Sequence, residues 1–252
     1  MLMRLLLLTA LLLPLSTFAE ELAVAAAADL NFAMKEVAQQ YQRDTGNTLK
    51  LSFGSSGNFF VQIQNGAPFD LFFSADSSYP EKLAQAGLAD PSSLYRYAVG
   101  TIVLWVPNGS KLDMKQGINV LLDPSVRKIA IANPAFAPYG RAAEQALKQS
   151  GIYDRVKDKL VLGENISQTA QFAETGNADI GIIAESLALA PTMKSSGHYV
   201  EVSRELYTPI QQAAIVLASS KKKTAAQQFL SYLQQPAARA ILERYGFTLP
   251  KS

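Results

Sequence analysis

The 252-residue chain has no cysteine and a single histidine, His198. Without cysteine there is neither a disulfide framework nor a cysteine at the end of a leader to carry a lipid. The same shortage leaves no zinc-ligand set of the usual kind. A Ser-His-Asp centre would have to use His198, which stands in the polar stretch KSSGHY and reads as a surface-loop position. Charge of one sign is lacking too: 23 Lys and Arg face 21 Asp and Glu. With no electrostatic surplus, nothing argues for a nucleic-acid or membrane partner.

What the chain does have begins with a leader. MLMRLLLLTALLLPLSTFAEE opens with one arginine, continues through leucines and reaches Thr17-Phe18-Ala19, a small-residue site of the kind signal peptidase cuts. The apolar core is about ten residues, against the roughly 20 needed to span a bilayer. Cleavage is expected after Ala19, giving an exported, periplasmic protein that is not membrane-embedded. The mature chain is long enough to bury about 70 to 75% of its unfolded surface, so its core suffices for stability.

Strand-like and helix-like segments then alternate. The spacing predicts strands at 22–28, 48–53 and 69–75, with helices carrying Met34, Val37, Ala38 and Tyr41, then at 58–65 and 80–87. YAVGTIVLWVP (97–107) is too long and too apolar for one ordinary strand and reads as a segment leaving the first sheet. A second set follows: strands at 128–133, 159–163 and 178–184, helices at 141–151 and 167–176. PIQQAAIVLASS (209–220) is a second long apolar segment, and the last helices carry Ala226, Phe229, Leu230 and Leu233 on one face. The fold class expected is therefore α/β, with two lobes of mostly parallel sheet flanked by helices, joined by two crossover segments. The expected division is a signal peptide at 1–19, lobe I at 20–100, lobe II at 101–208 and a return to lobe I at 209–252.

The motif FGSSGNFF (53–60) sets two serines between two glycines ahead of an apolar run. It is neither the G-x-S-x-G nucleophile elbow nor a phosphate loop, since no lysine follows. The basic run Lys221-Lys222-Lys223 reads as a solvated helix start. Asp29, Ser56, Tyr139 and Ile166 each lie where a strand or loop hands over to a helix. In doubly wound sheets those hand-overs gather at the carboxyl ends of strands, where ligands bind. A helix start exposes unpaired N–H groups and the positive end of the macrodipole, which suits an oxyanion. Ser55 and Ser56 would add hydroxyls, or Ser56 would simply cap its helix and the glycines form a turn.

AAAADLNFAMKEVA, SFGSSGNFFVQIQNGAPFDLFFSAD, NPAFAPYGRAAEQAL and NADIGIIAESLA, in that order after a leader, resemble the periplasmic molybdate-binding proteins that serve ABC importers. The likeness extends over essentially the whole mature chain. It implies the type II periplasmic-binding-protein fold, with molybdate or tungstate in the cleft, no cofactor, no bare metal cation, no enzymatic activity, and a monomer that partners an importer permease. The alternatives are the same fold holding another tetrahedral oxyanion such as phosphate or sulfate, or a secreted serine hydrolase.

Position by position, the resemblance places ligand donors at Ser56 (hydroxyl and N–H), Tyr139 and Ile166 (N–H), with Ser55 less central. Some members have a tyrosine hydroxyl at the position of Ala184, so Tyr139 would replace that donor here. Asp29 stands where members commonly carry serine or asparagine. A carboxylate about 4 Å from a dianion costs at least about 4 kcal/mol at an effective dielectric near 20. Three arrangements escape that cost: Asp29 caps its own helix while its N–H serves the ligand, the acid is protonated and donates, or the ligand carries a proton. Arg141 is either a solvated first-turn residue or part of the counter-charge.

Overall fold

The computed structural model describes residues 19–250; most of the leader, residues 1–18, lies outside them. Two five-stranded sheets form, in the orders β2-β1-β3-β10-β4 and β7-β6-β8-β5-β9. The first contains β1 (Glu21–Ala27), β2 (Thr48–Gly54), β3 (Leu71–Ser74), β4 (Tyr95–Gly100) and β10 (Ile210–Val216). The second contains β5 (Ile102–Pro107), β6 (Ile129–Ala132), β7 (Leu160–Gly163), β8 (Ile180–Ala184) and β9 (Gly197–Glu201).

Each sheet has a parallel core to which antiparallel strands are added. In the first, β1 runs parallel to β2 and β3, while β10 is antiparallel to β3 and β4. In the second, β6 runs parallel to β7 and β8, and β5 is antiparallel to β8 and β9. This is the α/β fold with mixed, mostly parallel cores that the alternation of segments predicts.

Helices α1 (Asn31–Thr45), α2 (Ser56–Gln64) and α3 (Ser78–Gln85) follow the parallel strands of the first sheet. The second is flanked by α4 (Pro138–Gln149), α5 (Tyr153–Val156), α6 (Ile166–Glu174), α7 (Glu185–Ala188) and α8 (Pro191–Ser196). Helix α1 buries Met34, Val37 and Tyr41 and stops at Gly46, whose φ of 79° is the left-handed cap that glycine supplies without strain. Helices α2 and α4 start earlier than the apolar spacing implies, at Ser56 and Pro138. A proline at the first helical position is already set to helical φ, so α4 begins three residues ahead of Arg141 and includes Tyr139.

The over-long run 97–107 is two strands. Its backbone leaves the first sheet at Gly100 and enters the second at Ile102. Ile102 to Val106 are fully buried, which explains the unbroken apolar composition. The chain comes back along β10, and α9 (Lys223–Tyr232) and α10 (Pro236–Arg244) close the first lobe. Ala226, Phe229, Leu230 and Leu233 join Val24, Phe73 and Tyr97 in one core, with Phe229 edge-on to Tyr41 at 4.9 Å. Truncating Phe229 to alanine would cost about 3 to 5 kcal/mol.

His198 is not in a loop. It belongs to β9, paired with Val106, and its side chain is exposed. An edge strand is served by one neighbour only and tolerates polar residues, so its sequence resembles a loop.

Candidate functional site

The carboxyl ends of the parallel strands of both sheets point at the junction between the lobes. There a small cavity is walled by Asp29, Ser55, Ser56, Tyr139 and Ile166 together with Gly54, Pro138 and the alanines 27, 28, 75 and 137. Its cavity volume is about 10 Å³, room for about one water molecule in the closed form. No Lys, Arg or His is among its lining residues. Ala184, the sixth residue singled out from the sequence, is not among them: it ends β8, fully buried opposite Ile102.

Three helices begin at this wall. Ser56 and Ile166 are the first residues of α2 and α6, and Tyr139 is the second of α4. N–H groups in a first turn have no carbonyl one turn back to pair with, so these ends bring donors and positive helix-dipole ends to one point. Ser56 contributes more. Its Oγ accepts the Ala75 N–H at 2.9 Å, which fixes the hydroxyl and leaves its proton to donate elsewhere. Ser55 is the N-cap of α2, accepting from the Asn58 N–H at 3.4 Å.

The lobes are closed over this cavity. Gly57 N–H donates to Phe136 O at 2.9 Å, Ser167 Oγ to Ala28 O at 2.9 Å, and Ser186 Oγ to Asp29 O at 2.8 Å. The second glycine of GSSG has a steric reason: a Cβ on Gly57 would lie 2.7 Å from Phe136 O. At the rim Arg141 pairs with Asp76 at 2.5 Å and donates to the Tyr79 hydroxyl at 3.3 Å. The guanidinium therefore has a carboxylate partner on the opposite lobe. Beyond this pair opens a wider cleft of about 480 Å³, lined in part by Gln145, Thr208 and Gln211. It presents no convergent set of helix starts, and the smaller cavity is the chemically organised one.

Asp29 does not cap its helix. It sits in a 3-10 turn, Ala28–Leu30, ahead of α1, and neither turn nor helix has a side-chain cap. The carboxylate turns instead to a buried polar cluster. Oδ2 accepts from Gln212 Nε2 at 2.7 Å and from the Tyr139 hydroxyl at 3.0 Å. Gln212 also donates to the Tyr139 oxygen at 2.9 Å and accepts from Tyr97 OH at 2.6 Å. The Tyr139 hydroxyl proton is thus committed to Asp29, and it is the N–H of Tyr139 that is left for the cavity.

Burial pushes the Asp29 pKa up from 3.8 to about 6, even though the bonds from Gln212 and Tyr139 and the nearby N–H groups of Asp29 and Leu30 pull it down. Burial also holds the Tyr97 and Tyr139 hydroxyls well above their usual value, with the nearby Asp29 charge adding to it, so both stay neutral. Gln212 and Tyr97 are functional-site neighbours that sequence reasoning missed. The available signal was the pair Gln211-Gln212 inside the otherwise apolar run PIQQAAIVLA, of which Gln212 is fully buried, and a fully buried amide needs partners.

Two α/β lobes joined by crossing strands and closed over a small donor-lined cavity have the architecture of a two-lobed solute-binding protein. The chain belongs to the bacterial extracellular solute-binding protein family, whose model matches residues 22–248. It is 41% identical over 238 residues to the molybdate-binding protein ModA of Azotobacter vinelandii, with 94% of each chain covered. ModA of Rhodobacter capsulatus is 39% identical over 235 residues, covering 93% of this chain and 91% of that one. Among solved structures, the A. vinelandii periplasmic molybdate-binding protein superposes with a TM-score of 0.86 at 35% identity, covering 91% of this chain and all of that one. The sulfate-binding protein SubI of Mycobacterium tuberculosis shares the fold, with a TM-score of 0.76 at 17% identity, over 91% of this chain and 87% of that one.

Proposed function

We propose that this protein binds molybdate, and tungstate with it, in the closed cavity and delivers it to the permease of a membrane ABC importer. The observation that carries this reading is the convergence of three helix starts and the Ser56 hydroxyl on a cavity without a cation. The close relatives named as molybdate-binding proteins supply the identity of the anion. In this reading Ser56 donates through its hydroxyl and N–H, Tyr139 and Ile166 through N–H, with Ser55 and Asp29 beside them. All contacts are to oxyanion oxygens, so molybdenum is cargo and no residue is a metal ligand. Ala184, the least central of the expected contacts, shares the buried core of Tyr139 and Ile166 rather than the cavity lining.

Neutral binding of a dianion is physically sound. Fixed N–H and O–H dipoles replace the anion's hydration shell without reorganising, in a site from which water is excluded. Selectivity follows from size: tungstate matches molybdate, whereas the smaller sulfate leaves several hydrogen bonds too long. Lobe closure is the signal that the importer reads. Lobe I is assigned to 20–100, lobe II to 101–208 and the return to 209–252. The working form is a periplasmic monomer released by cleavage after Ala19. Among the described residues no helix is long and apolar enough to cross a membrane, and no cluster of acids and histidines could hold a metal cation.

One observation favours a rival cargo. Asp29 Oδ1 is buried with no hydrogen-bond partner, and a lone carboxylate oxygen would accept a proton carried by hydrogen phosphate. Calorimetric titration of ligand-stripped residues 20–252 decides between the two. Saturable one-to-one heat with molybdate is expected; heat with phosphate and none with molybdate would transfer the site to the protonated anion.

A further inference from the structure

Asp29 is the only acid in the cavity wall, and its two oxygens have different surroundings. Oδ2 takes both donors, the Gln212 amide from β10 and the Tyr139 hydroxyl from α4. Oδ1 is buried and makes no hydrogen bond of sound geometry; the N–H groups of Asp29 and Leu30 in its own turn act on the carboxyl without closing one. As a carboxylate, the group would hold an unpaired charged oxygen against a site made to attract anions, an expensive arrangement. As a carboxylic acid, the same atom becomes a donor where one is wanted.

No cation offsets the carboxylate from any side. On β10 Gln212 is neutral, on β4 and α4 the Tyr97 and Tyr139 hydroxyls are neutral, and Arg141 of α4 is bound to Asp76. On α1 the nearest cation, Lys35, lies over the Phe32 and Phe53 rings; Lys50 of β2 is exposed, and Glu174 closes the far end of α6. Glu185, at the start of α7, is the other acid raised by burial, and it hydrogen-bonds with Tyr199 rather than Asp29.

We propose that Asp29 enters the loaded state as the neutral acid, its Oδ1–H donating to an oxygen of the bound anion, so that loading the cleft takes up a proton from solvent. This rests on the oxyanion reading above. The proton adds to the carboxylate as the lobes close and leaves when they open; no other bond changes. The direction of the pH dependence follows. Asp29 is near 6 when enclosed, above the 3.8 of an exposed aspartate, so protonation favours the closed state. That contribution is complete below the lower value and is lost as pH rises through the upper one, with up to about tenfold in affinity per pH unit between them. A dianion against Oδ1 moves the upper edge to higher pH.

Asp29→Asn is the matching variant, because an asparagine can accept from Gln212 and Tyr139 through Oδ1 and present Nδ2 to the anion. Titration with sodium molybdate at about pH 5.5, between the two values, in two buffers of different ionisation heat, counts the protons taken up. Wild type should take up on the order of one proton per anion, D29N none, and E185Q as many as wild type. D29N should bind within about tenfold of wild type and should lose the pH dependence between about pH 5 and 7.5. Molybdate binding by wild type with no more proton uptake than D29N would overturn the inference and leave the oxyanion reading standing. Loss of more than tenfold in a folded D29N would overturn it as well. No heat with any oxyanion would overturn both.

Discussion

The Tyr139 hydroxyl stands where a side chain on Gly100 would begin: a Cβ at Gly100 would lie 2.1 Å from that oxygen and 2.8 Å from Gln212 Nε2. Gly100 ends β4 at the crossing between lobes, and Tyr139 belongs to the helix that the second lobe brings to the cavity. The missing side chain is what lets that hydroxyl reach Asp29. Gly100→Ala should therefore separate Tyr139 and Gln212 from Asp29, cost about 1 to 3 kcal/mol as overpacking does, and weaken molybdate binding more than tenfold. Thermal unfolding and titration of the variant check both numbers.

Ser56 has two partners to lose. Ser56→Ala strips the Ala75 N–H of its buried acceptor, which costs about 1 to 3 kcal/mol. For a chain this size that lowers Tm by roughly 2 to 12 °C. The anion loses a hydroxyl donor in the same step, so affinity should fall at least about tenfold, or 1.4 kcal/mol. An unchanged affinity with a lowered Tm would confine the hydroxyl to holding Ala75.

Asp29 also predicts a pH-dependent stability of the closed protein, the form in which it is enclosed. Its folded pKa, about 6, lies above the unfolded 3.8 because burial penalises the charge. Stability from this group is fully present below 3.8 and disappears as pH rises through about 6. At neutral pH the buried carboxylate therefore destabilises by up to the order of 3 kcal/mol. Asp29→Asn should raise Tm at about pH 7.5, by as much as roughly 6 to 12 °C, and the gain should shrink toward zero near pH 4. A gain independent of pH would separate the effect from ionisation.

Arg141 and Asp76 bridge the lobes at the rim with roughly a third of each side chain exposed. A pair so placed contributes about 1 kcal/mol or less after screening. Arg141→Gln and Asp76→Asn should each weaken binding by no more than about fivefold, and the double variant should add little further. Affinities measured for the cycle check this; a hundredfold loss in R141Q alone would make the guanidinium a counter-charge of the anion.

How much of this was legible in the sequence depends on the distance over which each residue acts. The strand and helix alternation was readable because each element carries its own period, and the crossing at Gly100 because an apolar run of eleven residues exceeds one strand. The cavity wall was half readable. Ser56, Tyr139 and Ile166 announce themselves as helix starts, and a helix start is a local event. The partners of Asp29 were not readable, since Gln212 lies 183 positions away and Tyr139 110, and only the fold brings them together. Strand β9 escaped for the opposite reason: its pairing with β5 is local in space but its edge position erases the apolar signal.

The central claim, an oxyanion of molybdate's size held in the interlobe cavity, is tested most directly by thermal unfolding of ligand-stripped residues 20–252 with molybdate, tungstate, sulfate or phosphate. A ligand at a hundred times its Kd adds about 2.7 kcal/mol, or roughly 5 to 11 °C here. The account predicts that shift with molybdate and tungstate and none with sulfate or phosphate at equal concentration; a shift with phosphate alone would contradict it.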